Sequence, residues 1–153
     1  RSIYMASFET PEILELKTKT KANTEYMSLN NQEFTAKIVY IYDGDTMHVV
    51  FKAFGEYYRW NCRVQGVDTP ELRTKNEAEK AMGYKVRDVL RSLFQDQIVR
   101  IKCFEFDKYG RLLIDVYLLD DMPNSSNVSF LSEWLIQEKY AYSYDGGTKQ
   151  SWS

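Results

Sequence analysis

Apolar and polar residues alternate along the chain between residues 34 and 64. Three runs place apolar side chains at every second position, the period of a β-strand with one buried face. The runs are residues 34–42, 46–51 and 58–64. Asp43-Gly44-Asp45 and Gly55 separate them with residues that favour turns. The pattern predicts an antiparallel meander of three strands, and the polar face of the third strand includes Arg63.

The period of the apolar residues changes after Pro70. Seven apolar residues recur at intervals of three and four, which predicts an amphipathic helix with one buried stripe. They are Ala78, Met82, Val86, Val89, Leu90, Leu93 and Phe94. Thr74 and Glu77 have the spacing of a capping box, so we expect the helix to begin near Thr74.

Two further strands and a second helix follow. Residues 99–103 and 112–118 alternate again, with a turn at Asp107-Lys108-Tyr109-Gly110 between them, and residues 129–140 have a helical period. The order is three strands, helix, two strands, helix. It predicts an α+β, mainly β fold: an OB-fold five-stranded barrel with a helix between its third and fourth strands and a second helix after the fifth.

The first 33 residues have a different pattern. They contain Pro11 and a run with Lys17, Lys19 and Lys21, without a sustained helical or strand period, and glutamates lie nearby. We therefore expect an N-terminal extension or linker over residues 1–33 and one barrel domain over residues 34–153, with a monomer as the default state.

The amino-acid composition argues against several classes of catalytic site and of nucleic-acid binding. One histidine (His48) and two cysteines (Cys62 and Cys103) argue against a zinc centre and against histidine-based hydrolysis, and we expect both cysteines to be buried free thiols. A formal net charge of −2 argues against a protein that coats DNA through a general basic excess. The chain has no signal-peptide pattern and no apolar run of membrane-spanning length, so we expect a soluble protein, intracellular rather than secreted, with no membrane partner.

Carboxylates and arginines at the predicted turns indicate a candidate site. Asp43-Gly44-Asp45-Thr46 closes the first hairpin and Asp68-Thr69-Pro70-Glu71 ends the third strand, so these groups can meet on one rim and offer oxygen ligands to a hard divalent cation. Arg63 and Arg111 can grip phosphate oxygens. Ordinary turns and exposed Arg–Asp pairs explain each feature singly; together they favour metal-assisted phosphodiester chemistry.

Three ordered motifs give the sequence a family resemblance. They are Val39-Tyr40-Ile41-Tyr42-Asp43-Gly44-Asp45-Thr46, Arg63-Val64-Gln65-Gly66-Val67-Asp68-Thr69-Pro70-Glu71 and Asp107-Lys108-Tyr109-Gly110-Arg111. In this order they resemble the staphylococcal nuclease-like (thermonuclease) family, over about residues 34–144. The segment Tyr140-Ala141-Tyr142-Ser143-Tyr144 is similar to the tyrosine-bearing segment of that family.

The resemblance implies a calcium-dependent nuclease and a role for each matching residue. Asp45, Asp68 and the Thr69 carbonyl would bind Ca²⁺, with Mg²⁺ or Mn²⁺ as alternatives, and Asp43 would belong to the turn behind the metal. Arg63 and Arg111 would hold the scissile phosphate while Glu71 orients or deprotonates the attacking water. Lys108, Tyr109 and Tyr142 would contact the neighbouring phosphate or base.

The implied reaction is endonucleolytic hydrolysis of DNA and RNA, with single strands favoured and 3′-phosphate ends left. The alternative is a nuclease-like module that binds nucleic acid or protein without significant catalysis. Two departures from the family stand out: Lys139 occupies a position where a glycine commonly ends the second helix, and the family's third, C-terminal helix is expected to be absent or truncated.

Overall fold

A closed five-stranded barrel forms the body of the protein, as a computed structural model of the chain describes for residues 9–152. The elements are α1 (Pro11–Lys17), β1 (Glu33–Ile41), β2 (Thr46–Ala53), β3 (Glu56–Val64), β4 (Val67–Asp68), α2 (Glu77–Phe94), β5 (Ile98–Phe106), β6 (Leu112–Val116), α3 (Leu131–Gln137) and β7 (Tyr142–Ser143). The strand order in the barrel is β1-β2-β3-β6-β5, with β5 pairing back to β1. This arrangement confirms the predicted α+β fold, with α2 between the third and fourth barrel strands and α3 after the fifth.

All pairings in the barrel are antiparallel except that of β3 with β6. In this parallel pair, Cys62 lies opposite Leu112 and Arg63 lies opposite Leu113. The turn that precedes β6 therefore comes to the same end of the barrel as the last residues of β3. A separate two-stranded sheet of β4 and β7 pairs Asp68 with Tyr142 and brings the chain after α3 to this end as well.

The core fills the barrel and continues under the helices. Ile38, Val49 and Ile114 inside the barrel are fully buried, as are Val86, Leu90 and Phe94 on the predicted stripe of α2. Cys62 and Cys103 are free and buried, as predicted, and burial raises the pKa of both thiols. The buried carboxylate of Asp115 accepts a hydrogen bond from the backbone N–H of Ser132 at 3.1 Å, which attaches the first turn of α3 to β6.

Three local predictions differ from the structure. The N-cap of α2 is Asn76, whose side chain accepts from the N–H of Glu79 at 3.1 Å, so the capping box predicted at Thr74 is wrong. A bulge between Ile38 and Tyr40 reverses the alternation in β1, so Ile41 is buried and Tyr40 is exposed. The second helix is shorter than the predicted residues 129–140.

The predicted N-terminal extension has some regular structure. Residues 1–8 lie outside the described part of the chain, but α1 begins at Pro11 with Thr10 as its N-cap. Leu29 is buried against the core, and Asn31 donates a backbone hydrogen bond to Cys103 of β5. No helix in residues 9–152 has the length and apolar character that a transmembrane segment requires.

Candidate active site

Two adjoining cavities open at the end of the barrel where β2, β3 and the turn before β6 meet. One has a volume of about 440 Å³ and is lined by Tyr42, Asp43, Asp45, Thr46, Asn61, Arg63, Glu71, Leu72, Arg73, Tyr109, Arg111 and Lys149. The other, of about 630 Å³, lies towards Lys108 and Tyr144. Arg63, Tyr109, Arg111 and Lys149 line both cavities. Most side chains that the sequence analysis selected therefore surround one connected space.

The Asp43–Thr46 turn places Asp45 at the wall of the first cavity. Asp43 Oδ1 accepts hydrogen bonds from the backbone N–H groups of Asp45 at 3.1 Å and Thr46 at 2.9 Å, which fixes the turn from inside. Burial and the neighbouring Asp45 carboxylate raise the pKa of Asp43 to about 7. Asp43 thus holds the turn, as the resemblance implied.

Asp45 connects the first hairpin to the segment after β3. Its Oδ2 accepts from the Thr69 hydroxyl at 3.0 Å and from the Thr69 N–H at 3.3 Å. The same oxygen lies 3.5 Å from a guanidinium nitrogen of Arg63. The two acidic motifs that the sequence separates by more than twenty residues are therefore in direct contact.

Asp68 is almost completely buried, with 3% of its surface exposed. Its Oδ1 has no hydrogen-bond partner among the described residues, although the ammonium of Lys149 lies 3.2 Å away. Burial raises the pKa of Asp68; Lys149 and Arg63 oppose this effect and Asp45 adds to it. A buried carboxylate oxygen with this environment is suited to a cationic ligand.

Arg63 is a buried arginine at the end of β3, with 8% of its surface exposed. Its Nη1 donates to the Val64 carbonyl at 3.0 Å, and its guanidinium lies 5.6 Å from the centroid of the Tyr144 ring. These contacts, together with Asp45, fix the plane of the guanidinium at the junction of both cavities.

Arg111 enters the same space from the turn before β6. Asp107 Oδ2 accepts from its Nε at 2.8 Å, and its Nη1 lies 3.4 Å from the Thr46 hydroxyl. The exposed ring of Tyr109 lies 5.5 Å from the guanidinium. Two guanidinium groups therefore border one cavity, one from the end of β3 and one from the turn before β6.

Glu71 lies on the rim, about half exposed, in the segment that leads to α2. Its backbone N–H donates to Glu79 Oε2 at 2.9 Å, and its Oε1 accepts from Lys149 at 3.0 Å. The segment lies close to α2 at Gly83, where a Cβ would be 2.9 Å from the Pro70 carbonyl oxygen and 3.1 Å from that of Glu71. Gly83 thus lets the chain that carries Glu71 lie directly on the helix.

The predicted substrate contacts divide into two groups. Lys108 and Tyr109 line the larger cavity, with the lysine ammonium 5.3 Å from the ring centroid. Tyr142 lines neither cavity and packs on Trp152, with ring centroids 4.4 Å apart. Tyr144, two residues later, lines the larger cavity instead. The period of two in this segment could have drawn attention to Tyr144, but nothing in the sequence singled out Lys149.

Only a few residues of the candidate site offer oxygen atoms that could bind a divalent cation. Within residues 9–152, no group of three or more histidine, cysteine, aspartate or glutamate side chains is arranged to hold a metal ion. Calcium and magnesium also accept backbone carbonyls and water, so a pair of carboxylates with one carbonyl forms a sufficient starting set. The buried Oδ1 of Asp68, which has the Lys149 ammonium 3.2 Å away, fits such an ion, and the nearby Asp45 carboxylate adds to the raised pKa of Asp68.

The barrel topology and the rim of carboxylates and arginines define a nuclease-like barrel. The family of staphylococcal nuclease homologues matches residues 61–151, more than half of the chain. The chain belongs to this family. The match begins in β3 and includes the 63–71 and 107–111 segments.

Two relatives extend the comparison. A thermonuclease from Staphylococcus hyicus is 34% identical over 97 residues, which cover 62% of this chain and 55% of the relative. An uncharacterized protein from Methanocaldococcus jannaschii is 28% identical over 134 residues, which cover 74% of this chain and 61% of the relative. The chain spans between about half and three-fifths of the length of these curated relatives.

Proposed function

We propose that this protein is a metal-dependent endonuclease that hydrolyses phosphodiester bonds of DNA and RNA. The observation that carries the proposal is that Arg63 and Arg111 border the same cavity as Asp45 and Glu71. This set combines phosphate-binding cations, an oxygen ligand for a metal ion and a carboxylate that can accept a proton. Family membership and the similarity to a thermonuclease add to it.

Asp45, Asp68 and the Thr69 carbonyl are the residues that would hold the divalent cation, and we propose Ca²⁺, with Mg²⁺ or Mn²⁺ as alternatives. When bound, such an ion supplies Lewis-acid stabilisation of negative charge on a phosphate oxygen. The contact between Asp45 and Thr69 keeps the two acidic segments together for this purpose.

The protein side chains divide the remaining chemistry. Arg63 and Arg111 bind the non-bridging oxygens of the scissile phosphate and stabilise the charge that grows on them as the nucleophile approaches. Glu71 positions a water molecule for in-line attack on phosphorus and accepts its proton. The bond to the 5′-oxygen breaks and the departing oxygen takes a proton from solvent water, which leaves a 3′-phosphate on one product and a 5′-hydroxyl on the other.

The same arrangement supports the proposal of a broad substrate range. Contacts to phosphate carry no information about sequence or sugar, and an exposed tyrosine stacks on any base. Tyr109 is exposed and has the Lys108 ammonium 5.3 Å from its ring centroid, and these features support a role for the ring in stacking on an unpaired base. We therefore propose a preference for single strands.

Cleavage assays with defined metals test the proposal. Labelled single-stranded DNA, duplex DNA and RNA are incubated with the protein in EDTA and then with Ca²⁺, Mg²⁺ or Mn²⁺, and the ends of the products are analysed. We expect no cleavage in EDTA, recovery with Ca²⁺ and 3′-phosphate ends. Recovery only with Mg²⁺ or Mn²⁺ would change the metal but retain the nuclease.

Glu71→Gln is the decisive variant because it keeps the shape of the side chain and removes its basicity. We expect its cleavage rate to fall by about 10²–10⁴-fold, whereas Glu77→Gln, an exposed change in the first turn of α2, leaves the rate unchanged. Equal rates for Glu71→Gln and the wild type would contradict the assigned role. Tight binding of single-stranded DNA without any cleavage would favour the binding module instead.

A further inference from the structure

Lys149 places a positive charge among the carboxylates of the candidate site. Its ammonium lies 3.0 Å from Glu71 Oε1 and 3.2 Å from Asp68 Oδ1. The lysine therefore bridges two carboxylates with different proposed roles.

The segment that carries Lys149 is attached on both sides of this residue. On the N-terminal side, the Tyr144 backbone N–H donates to the Gly66 carbonyl at 2.9 Å and its hydroxyl donates to the Gly147 carbonyl at 2.9 Å. On the C-terminal side, the Trp152 ring packs on Tyr142, and its carbonyl accepts from the Asn76 side chain at 3.0 Å. These contacts attach the segment to the barrel and to the N-cap of α2, and so keep the Lys149 side chain at the candidate site.

We propose that Lys149 competes with the divalent cation for Asp68 and so sets the metal affinity of the site. The inference rests on the proposed function, because it takes Asp68 as a metal ligand. The ammonium lies beside the one buried oxygen of Asp68 that has no hydrogen-bond partner among the described residues. A dication that approaches this oxygen meets the like charge of the ammonium, whose nitrogen lies 3.2 Å from the oxygen.

Competition also links the metal to Glu71. While Glu71 accepts a hydrogen bond from Lys149, its Oε1 is engaged by a cation and is a poor acceptor for the proton of a water molecule. Binding of a metal that displaces the ammonium from Asp68 weakens its hold on Glu71 as well, since the same nitrogen contacts both. By linkage, whatever releases Lys149 strengthens metal binding by the same factor.

Direct measurement of calcium binding tests this inference without any assay of cleavage. Calorimetric titrations with CaCl₂, in the absence of nucleic acid, compare the wild type with Lys149→Gln, Lys149→Arg and Lys85→Gln. We expect Lys149→Gln to bind Ca²⁺ about three- to tenfold more tightly, the effect of removing one or two partly screened ion pairs. Lys149→Arg keeps the charge, and Lys85→Gln removes an exposed charge from the middle of α2, so neither gains affinity.

Asp68→Asn separates failure of this inference from failure of the proposed function. If Asp68→Asn loses calcium binding but Lys149→Gln binds Ca²⁺ like the wild type, the competition is wrong and the metal site stands. If the wild type does not bind Ca²⁺ and Lys149→Gln does not restore binding, the calcium site and the competition both fall. If Lys149→Gln and Lys85→Gln gained the same calcium affinity, the change in net charge would account for the effect, and this result would also overturn the inference.

Discussion

Asp107 holds Arg111 through both of its carboxylate oxygens. Oδ2 accepts from Arg111 Nε at 2.8 Å, while Oδ1 accepts from the Arg111 backbone N–H at 2.9 Å and from that of Tyr109 at 2.8 Å. One side chain therefore shapes the turn and orients the guanidinium that the turn presents. This relationship makes Asp107 a positioning residue for Arg111, the side chain proposed to bind phosphate.

The charge of Asp107 predicts a dependence of stability on pH. Burial raises the pKa of Asp107, but hydrogen bonds from Arg111 and Tyr109 and the Arg111 charge outweigh it and lower the pKa below 3.8. A lowered pKa stabilises the fold above pH 3.8, and this contribution is lost as the pH falls through the lowered value. We expect Asp107→Asn to reduce the free energy of unfolding by about 1–2 kcal/mol at neutral pH.

Urea unfolding of both proteins between pH 2 and pH 7 measures this contribution. The difference in unfolding free energy between the wild type and Asp107→Asn should be constant above about pH 5 and shrink below pH 3.8. A difference that did not change with pH would show that the charge of Asp107 does not stabilise the turn.

Replacing Arg63 should reduce both the cleavage rate and the stability of the fold, whereas replacing Arg111 should reduce mainly the cleavage rate. Arg111→Ala is expected to lower the cleavage rate by about 10²–10³-fold with a small change in melting temperature. Arg63→Ala should lower the rate similarly and also reduce the unfolding free energy by about 3 kcal/mol, because it leaves the buried Asp45 without its cation. Single-turnover cleavage and urea unfolding measure the two effects. Wild-type cleavage by either variant would remove that arginine from the site.

Gly44→Ala tests the contact between the two acidic segments. A Cβ at this position would lie 2.7 Å from Thr69 Cβ and 2.8 Å from its hydroxyl oxygen, so Thr69 must move and loosen its hydrogen bonds to Asp45. We expect a loss of about 1–3 kcal/mol in unfolding free energy and weaker calcium binding. Thr69→Val removes only the hydroxyl hydrogen bond and should have a smaller effect on stability. Calcium binding by Gly44→Ala as tight as that of the wild type would contradict the need for this contact.

The end of α3 offers a stabilising change. Lys139 has φ of 62°, and the N–H groups of Lys139 and Tyr140 donate to the carbonyls of Ile136 and Leu135, the hydrogen bonds of a Schellman motif. Lys139→Gly removes the steric penalty of this conformation and is expected to add about 1 kcal/mol of stability. Lys139→Ala keeps the Cβ and should add nothing. Thermal unfolding of the three proteins makes the comparison, and equal melting temperatures would refute it.

Regular periods predicted most of the fold. The alternation of apolar residues in β2 and the apolar stripe of α2 follow from burial of one face of each element. The order of the elements predicted a five-stranded barrel, and the structure confirms it. The bulge after Ile38 and the cap at Asn76 could not be predicted in this way. Both depend on which neighbouring backbone groups need a partner, and that is decided only when the strands and loops have packed.

The roles of the candidate site residues stay predictions, but the positions of several of them could be expected from the sequence. Asp45, Arg63 and Arg111 lie at turns or strand ends, and the structure brings them to one cavity. Lys149 was missed because its segment has no period and its position depends on contacts of Trp152 and Tyr144 with distant elements. A lysine in a polar segment has no local pattern that marks it as part of a site.

The parallel pairing of β3 with β6 has a consequence for how the chain acquires its chemistry. Arg63 and Arg111 are brought together only by the pairing of strands that α2 and β5 separate in the sequence. Pairing such distant segments closes a much longer loop than a hairpin does, and this costs more conformational entropy. A chain in which this pairing has not formed would lack one of the two arginines of the proposed phosphate site, so under the proposed function cleavage would require the complete barrel.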